Sequence, residues 1–204
     1  MEITTGQRAW VPVWDLFVRV FHWGTVAGFA AAYLSGEFKA NELHILVGYA
    51  VTLLLIARLV WGFIGTPYAR FSALHIAPAD VVRYLKSLRT AHPLHYAGHN
   101  PLGALMVVAL LCMLTGICAS GLIILGAIEF EGPLQFLTGA FSDHQAYTAR
   151  DIHELLAKFT LVLVALHILG AISASIQHRE NLIRAMITGK KFLPPASEGD
   201  NNDK

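Results

Sequence analysis

The chain has 204 residues, of which 55% are hydrophobic and only 14% charged, and its mean hydropathy is +0.52. A water-soluble domain carries about a quarter charged residues, so the composition excludes an ordinary soluble protein and predicts a membrane protein. Fifteen Lys and Arg against 14 Asp and Glu leave a formal charge of +1, which gives no footprint for nucleic acid. Ten histidines are the one excess that composition leaves unexplained.

Four apolar runs reach the roughly 20 residues needed to cross a hydrocarbon core: residues 14–35, 43–64, 102–128 and 152–176. In the first, Arg8 and Arg19 precede an apolar stretch too long for the core of a signal peptide, so it is expected to persist as a helix. Between the second and third runs, Pro78-Ala-Asp precedes Val81, Val82, Leu85 and Leu88 at helical spacing, with Arg83, Lys86 and Arg89 on another face. That pattern predicts a short helix, either lying on anionic headgroups or serving as an ordinary connector. Cys112 and Cys118, six residues apart in the third run, point in different directions on a helix and are not expected to pair. The polar tail from Pro194 predicts disorder.

An even number of spans puts both termini on one side. With the termini and the 65–101 loop inside, twelve cationic side chains (Arg8, Arg19, Arg58, Arg70, Arg83, Lys86, Arg89, Arg179, Arg184, Lys190, Lys191 and Lys204) fall at or near the cytoplasmic face. Only Lys39 and Arg150 flank the outer ends. The expected architecture is all-α: an integral four-helix bundle over residues 1–192, both termini cytoplasmic, followed by a polar tail at 193–204. The outer loops carry Glu37, Glu42, Glu129, Glu131, Asp143 and Asp151, so a partner outside meets negative charge.

Ionisable side chains within spans are costly and point to function. His22 lies in the first run, His44 at the start of the second, and His153 and His167 in the fourth. The last two are 14 residues apart, which puts them about 40° from a common line and roughly 21 Å apart along the axis. Antiparallel alternation brings His22 level with His167 in the inner half and His44 level with His153 near the outer end. Two imidazoles facing each other across a bundle are what bis-histidine ligation of a haem iron requires. Two such irons, one above the other, would form an electron path across the membrane. No C-x-x-C-H occurs, which excludes a covalently attached c-type haem.

Arg58, 14 residues after His44, and Arg19, one turn before His22, are candidate partners for haem propionates; snorkelling toward headgroups is the alternative use of either. Gly24, Gly28, Gly48, Gly116, Gly121 and Gly170 give the helices small faces near the histidines, which suit a planar cofactor or simply close helix packing. The competing use of the histidines is metal-ion transport, although such sites gather ligands at one depth; a structural anchor without haem is the other alternative.

At Arg19-Val-Phe-His22-Trp23, Glu42-Leu-His44 with Gly48 and Arg58, Gly98-His99-Asn100-Pro101-Leu102-Gly103, and His153 to His167, the sequence resembles the bacterial cytochrome b561 and nickel-iron-hydrogenase b-type cytochrome family. The closing stretch from His178 to Lys190 is similar to members encoded with soluble c-type cytochromes. The likeness covers about residues 10–192, and the family's haem ligands fall on His22, His44, His153 and His167. It implies a protein of the bacterial inner membrane that holds two haem b groups. Such a protein exchanges electrons between the quinone pool and a periplasmic c-type cytochrome, or anchors a hydrogenase or dehydrogenase as its cytochrome subunit. Superoxide oxidation is known in a related branch. Family analogy also sets a quinone near the inner haem, with His99 and Asn100 as candidates for proton transfer and hydrogen bonding; an ordinary Asn-Pro helix start is the alternative. His75, His92, His95, His144 and His178 read as surface residues.

Overall fold

The computed structural model describes residues 9–90 and 94–193. Among these the chain is mostly helical: α1 (Leu16–Glu37), α2 (Asn41–Ile64), α3 (Pro78–Ser87), α4 (Pro101–Ala127), α5 (Asp143–Gln177) and α6 (Leu182–Thr188). His92 and the tail from Pro194 lie outside the described residues. α2, α4 and residues 144–177 of α5 are long and apolar enough to cross a membrane. α1 has 22 residues, but Arg19, His22 and Glu37 dilute its apolar character. Large apolar side chains stand exposed along these helices, including Leu46, Leu53, Phe63, Leu155, Phe159 and Leu169, a surface that water does not tolerate and lipid does.

Three of the long helices, α1, α4 and α5, start where the sequence supplies a side-chain cap. Asp15 accepts from the Val18 amide at 2.8 Å to begin α1, and Asn100 accepts from Gly103 at 2.8 Å ahead of Pro101 to begin α4. Ser142 and Gln145 form a reciprocal capping box at the start of α5. α5 therefore begins nine residues before the expected 152: the capped, polar first turns are helical although they are too polar for the hydrocarbon. The three-residue link from α1 to α2 closes with Ala40 donating to the Ser35 carbonyl and Lys39 to that of Gly36, Lys39 itself being left-handed at φ 56. That reversal makes α1 and α2 an antiparallel hairpin. α4 packs along α5, and α2 packs against α4. The central core is built on Val51, Leu55, Leu111 and Leu114.

The expected all-α chain also contains two strands, β1 (Ala9–Pro12) and β2 (Lys190–Leu193), paired antiparallel. They tie the two ends of the described chain together beside a second core of Val13, Trp14, Val18, Ala69 and Ala185. Gly189, at φ +81, turns the chain from α6 into β2. A Cβ there would lie 2.5 Å from the Trp14 carbonyl oxygen, so both conformation and space call for glycine. α3 forms at the expected place, inserting Tyr84 into the interior at 2% exposure while Val82 and Leu85 face outward.

Candidate functional site

The four in-span histidines come together in the two pairs that their spacing predicts. The His22 ring on α1 lies 6.3 Å from that of His167 on α5, centroid to centroid, at an interplanar angle of 52°. The His44 ring on α2 lies 6.0 Å from that of His153 on α5, at 76°. α5 packs closely on α4 and is not one of the close packing partners of α1 or α2, so within each pair imidazoles bridge helices whose backbones stand apart. A metal bound by two imidazole nitrogens needs about 2 Å for each bond and roughly 1 Å from each nitrogen to its ring centre, about 6 Å in all. Both pairs have that separation, and the donor chemistry suits haem iron. Among the described residues no three His, Cys, Asp or Glu gather around one point.

Second partners orient the outer pair. His44 donates from Nδ1 to the Ala32 carbonyl at 2.8 Å, and His153 donates from Nδ1 to the Ile117 carbonyl at 3.0 Å with the Ser120 hydroxyl also at 3.0 Å. A carbonyl can only accept, so Nδ1 carries the proton in both rings and Nε2 presents its lone pair; this is how ligating histidines are held. The backbone approaches closely enough because of two glycines: a Cβ on Gly36 would sit 3.3 Å from His44 Nδ1, and one on Gly121 3.2 Å from His153 Cε1. Around Gly48 and Gly170 there is open space. At the inner pair, His22 Nδ1, Thr25 Oγ1 and Arg58 Nη1 are buried without a hydrogen-bond partner.

Arg58 is 6% exposed. Its Nη2 donates to the Ala69 carbonyl at 3.0 Å, and its guanidinium lies 5.2 Å from the Phe71 ring centre and 6.0 Å from that of Phe21. A buried cation with an unmatched donor is suited to an anion. Arg19 instead turns toward the chain's own end, donating from Nη1 to the Ile187 carbonyl at 2.7 Å. Asp15, which the sequence reading passed over, joins the helices here: its second oxygen accepts from Trp61 Nε1 at 3.0 Å and Thr66 Oγ1 at 2.6 Å. Burial alone would raise the Asp15 pKa, but the hydrogen bonds from Thr66, Val18 and Trp61 and the charge of Arg58 hold it below the ordinary value.

The His99 ring packs against that of Trp14, tilted by 49° with ring centres 4.6 Å apart. Together with Tyr68, His75 and Tyr96 it lines a cavity of about 220 Å³. Desolvation, then the charges of Lys191 and Arg58, push its pKa down to about 4, so the ring is neutral at physiological pH. Asn100, beside it, spends its side-chain oxygen on the α4 cap. His95 and His178, expected as surface residues, stand with ring centres 5.2 Å apart in a network with Tyr84, Glu180 and Lys191. Their partners are distant in sequence, so nothing in the local pattern announces them. His144 is exposed.

The chain matches the family described as prokaryotic cytochrome b561 over residues 13–189. It is 26% identical to a probable Ni/Fe-hydrogenase B-type cytochrome subunit of Rhizobium leguminosarum bv. viciae, over 92% of this chain and 91% of that one. It is 25% identical to a protein of the same description from Azotobacter chroococcum mcd 1, over 90% and 89% of the two chains. The corresponding protein of Azotobacter vinelandii is 26% identical over 90% and 89%. No solved structure matches significantly. A family match running from Val13 to Gly189, through every helix described above, makes this chain a member of the prokaryotic cytochrome b561 family, and so a membrane-bound electron carrier that works with b-type haem.

Proposed function

We propose that α1, α2, α4 and α5 cross the bacterial cytoplasmic membrane as a four-helix bundle with both termini in the cytoplasm. The bundle holds two b-type haems, one between His22 and His167 and the other between His44 and His153, and passes electrons between membrane quinone and a redox partner outside, such as a c-type cytochrome. The observation that carries this is the ring separation in the two pairs, 6.3 and 6.0 Å, on helices that are not close packing partners. The positive-inside asymmetry supports the orientation, and the separation of the histidines into two pairs disfavours a single transport site.

When bound, haem supplies a one-electron iron couple. The chain supplies the rest. His22 with His167, and His44 with His153, would each hold one haem between two imidazoles, an arrangement that suits electron transfer. The carbonyls of Ala32 and Ile117 fix the tautomers of His44 and His153, raising their basicity as ligands. Arg58 Nη1, buried without a partner, is the donor we assign to an inner-haem propionate; Arg19, whose Nη1 already donates to the Ile187 carbonyl, is the second candidate. The cavity at His99 receives the quinone headgroup; the neutral His99 ring takes or gives a proton, and the Asn100 side-chain amide, whose oxygen is already used, offers only its N–H.

A second possibility draws on the three relatives named as probable Ni/Fe-hydrogenase B-type cytochrome subunits: the same haem pair could anchor a hydrogenase and receive its electrons. One experiment addresses both. Purified holoprotein, oxidised and kept anaerobic, should develop a reduced b-type band on addition of duroquinol. Failure to do so, with dithionite still reducing the haem, would remove the quinone from the account. Retention of a hydrogenase subunit through purification would favour the anchoring role.

A further inference from the structure

The outward side of α3 carries chemistry that neither the histidine pairs nor the cavity at His99 uses. The rotation of this helix is fixed from within: Tyr84 is 2% exposed, its ring lies 5.8 Å from that of Tyr96, and its hydroxyl meets His178 Nε2 at 3.3 Å. At about 100° per residue, Leu85 and Val82 stand about 100° and about 160° round the helix from Tyr84 in one direction. Arg83 and Lys86 stand equally far round in the other. The outward side is therefore divided lengthwise into an apolar flank and a cationic one.

Both flanks are open. Val82 is 49% and Leu85 44% exposed, an apolar display that a helix crossing water would turn inward. Arg83 donates from Nη2 to Asp80 Oδ1 at 2.7 Å, which offsets the one carboxylate of the helix. Lys86 is exposed and has no ion-pair partner among the described residues, and Arg89 is exposed just past the helix end. Where the flanks meet, Pro78, Ala79, Val82, Arg83 and Lys86 line a groove of about 560 Å³. The depth of α3 follows from its neighbours. It lies in the link between the end of α2 at Ile64 and the start of α4 at Pro101, both helices able to cross a membrane, and Tyr84 touches His178 at the end of α5. Three span ends meet there, at the level where hydrocarbon gives way to headgroups.

We infer that the outward side of α3 is a binding site for an anionic membrane phospholipid. The phosphate meets Lys86 and Arg83, while Val82 and Leu85 enter the apolar layer beneath the headgroups, as in an amphipathic helix lying in the interface. A soluble anion would use the cationic flank and leave the apolar one bare. An apolar partner would leave the cations unmatched. A lipid with a charged head uses both. This needs only that α2 and α4 span the membrane, and neither haem nor quinone enters it.

The test titrates purified holoprotein in neutral detergent with phosphatidylglycerol, with phosphatidylcholine of the same acyl chains, or with sodium phosphate. Native mass spectrometry counts bound lipid, and the midpoint of thermal unfolding reports on all three. Wild type should bind phosphatidylglycerol in preference to phosphatidylcholine and gain no stability from millimolar phosphate. Lys86→Gln should weaken phosphatidylglycerol binding about fivefold, the worth of one cation near an anionic headgroup. Adding Arg83→Gln should weaken it further, whereas Lys86→Arg should keep the wild-type affinity. These positions are exposed, so the variants should fold as wild type does. Equal affinity of wild type for the two lipids would overturn the site, as would undiminished phosphatidylglycerol binding in the double variant. Stabilisation by phosphate that matches stabilisation by phosphatidylglycerol would reveal a site for free anions and would overturn the lipid.

Discussion

If each histidine pair holds one haem, as proposed, replacing His167 by alanine should halve the haem content of the purified protein, from two b-type haems to one. A b-type haem has no covalent link to the chain, so axial bonds and the surrounding packing hold it in place. In the inner pair His167 is the proposed ligand from α5, its ring 6.3 Å from that of His22. With one bond gone, the remaining imidazole and the neighbouring apolar side chains must hold the group alone. The outer pair stands roughly 21 Å further along α5, its histidines independently fixed by Ala32 and Ile117, and sites that far apart respond independently. Pyridine haemochrome analysis against protein concentration measures the loss. His153→Ala should produce the mirror result, retaining the inner haem. Unchanged haem content in either variant would contradict the pairing.

Asp15→Ala should cost about 3 to 4 kcal/mol and lower the midpoint of thermal unfolding by roughly 10 °C. The single carboxylate caps α1 through Val18 and accepts from Trp61 on α2 and Thr66 beyond it. Loss of the cap costs about 1 kcal/mol. Each of the two other donors loses a charge-assisted bond, worth about 1.5 kcal/mol apiece at the low end for a part-buried site. Asp15→Asn, which keeps one acceptor oxygen but adds an unwanted donor toward Trp61 and Thr66, should fall about midway. Because the native pKa of Asp15 is depressed, its contribution is complete above the ordinary carboxylate range and disappears as the pH falls through the lower native value. The difference in melting temperature between wild type and Asp15→Ala should therefore shrink in strong acid. Equal midpoints at neutral pH would show that Asp15 does not join the helices.

The histidine pairs were legible in the sequence because two periodicities meet there. Helical spacing sets His153 and His167 on one face, and the alternation of span direction sets the depth of His22 and His44; neither requires knowing how the helices tilt. The early start of α5 was written in Ser142 and Gln145, but apolarity marks only the part of a helix that lies in hydrocarbon, and these residues stand before it. Pairing of β1 with β2 was not legible, since four-residue strands about 180 positions apart leave no pattern in either segment. Contacts of the same kind hid the bond of His95 to Glu180, 85 residues away, and that of Trp61 to Asp15, 46 residues away. Asp15 left a partial signal: an aspartate directly before Leu16-Phe17-Val18 is a helix start, though nothing local tells that its second oxygen holds another helix. Arg58 lies in α2, within the second expected span, but its bond to Ala69 and its contact with the Phe71 ring depend on a loop whose course local pattern does not reveal.

The most direct test of two imidazole-bridged irons is electron paramagnetic resonance of the oxidised, purified wild-type chain at low temperature, quantified against total haem and protein. Two low-spin ferric signals of the bis-imidazole type, together accounting for two haems per chain, are the result predicted here. A single signal with one haem per chain, or a high-spin signal showing an iron that lacks its second histidine, would contradict it.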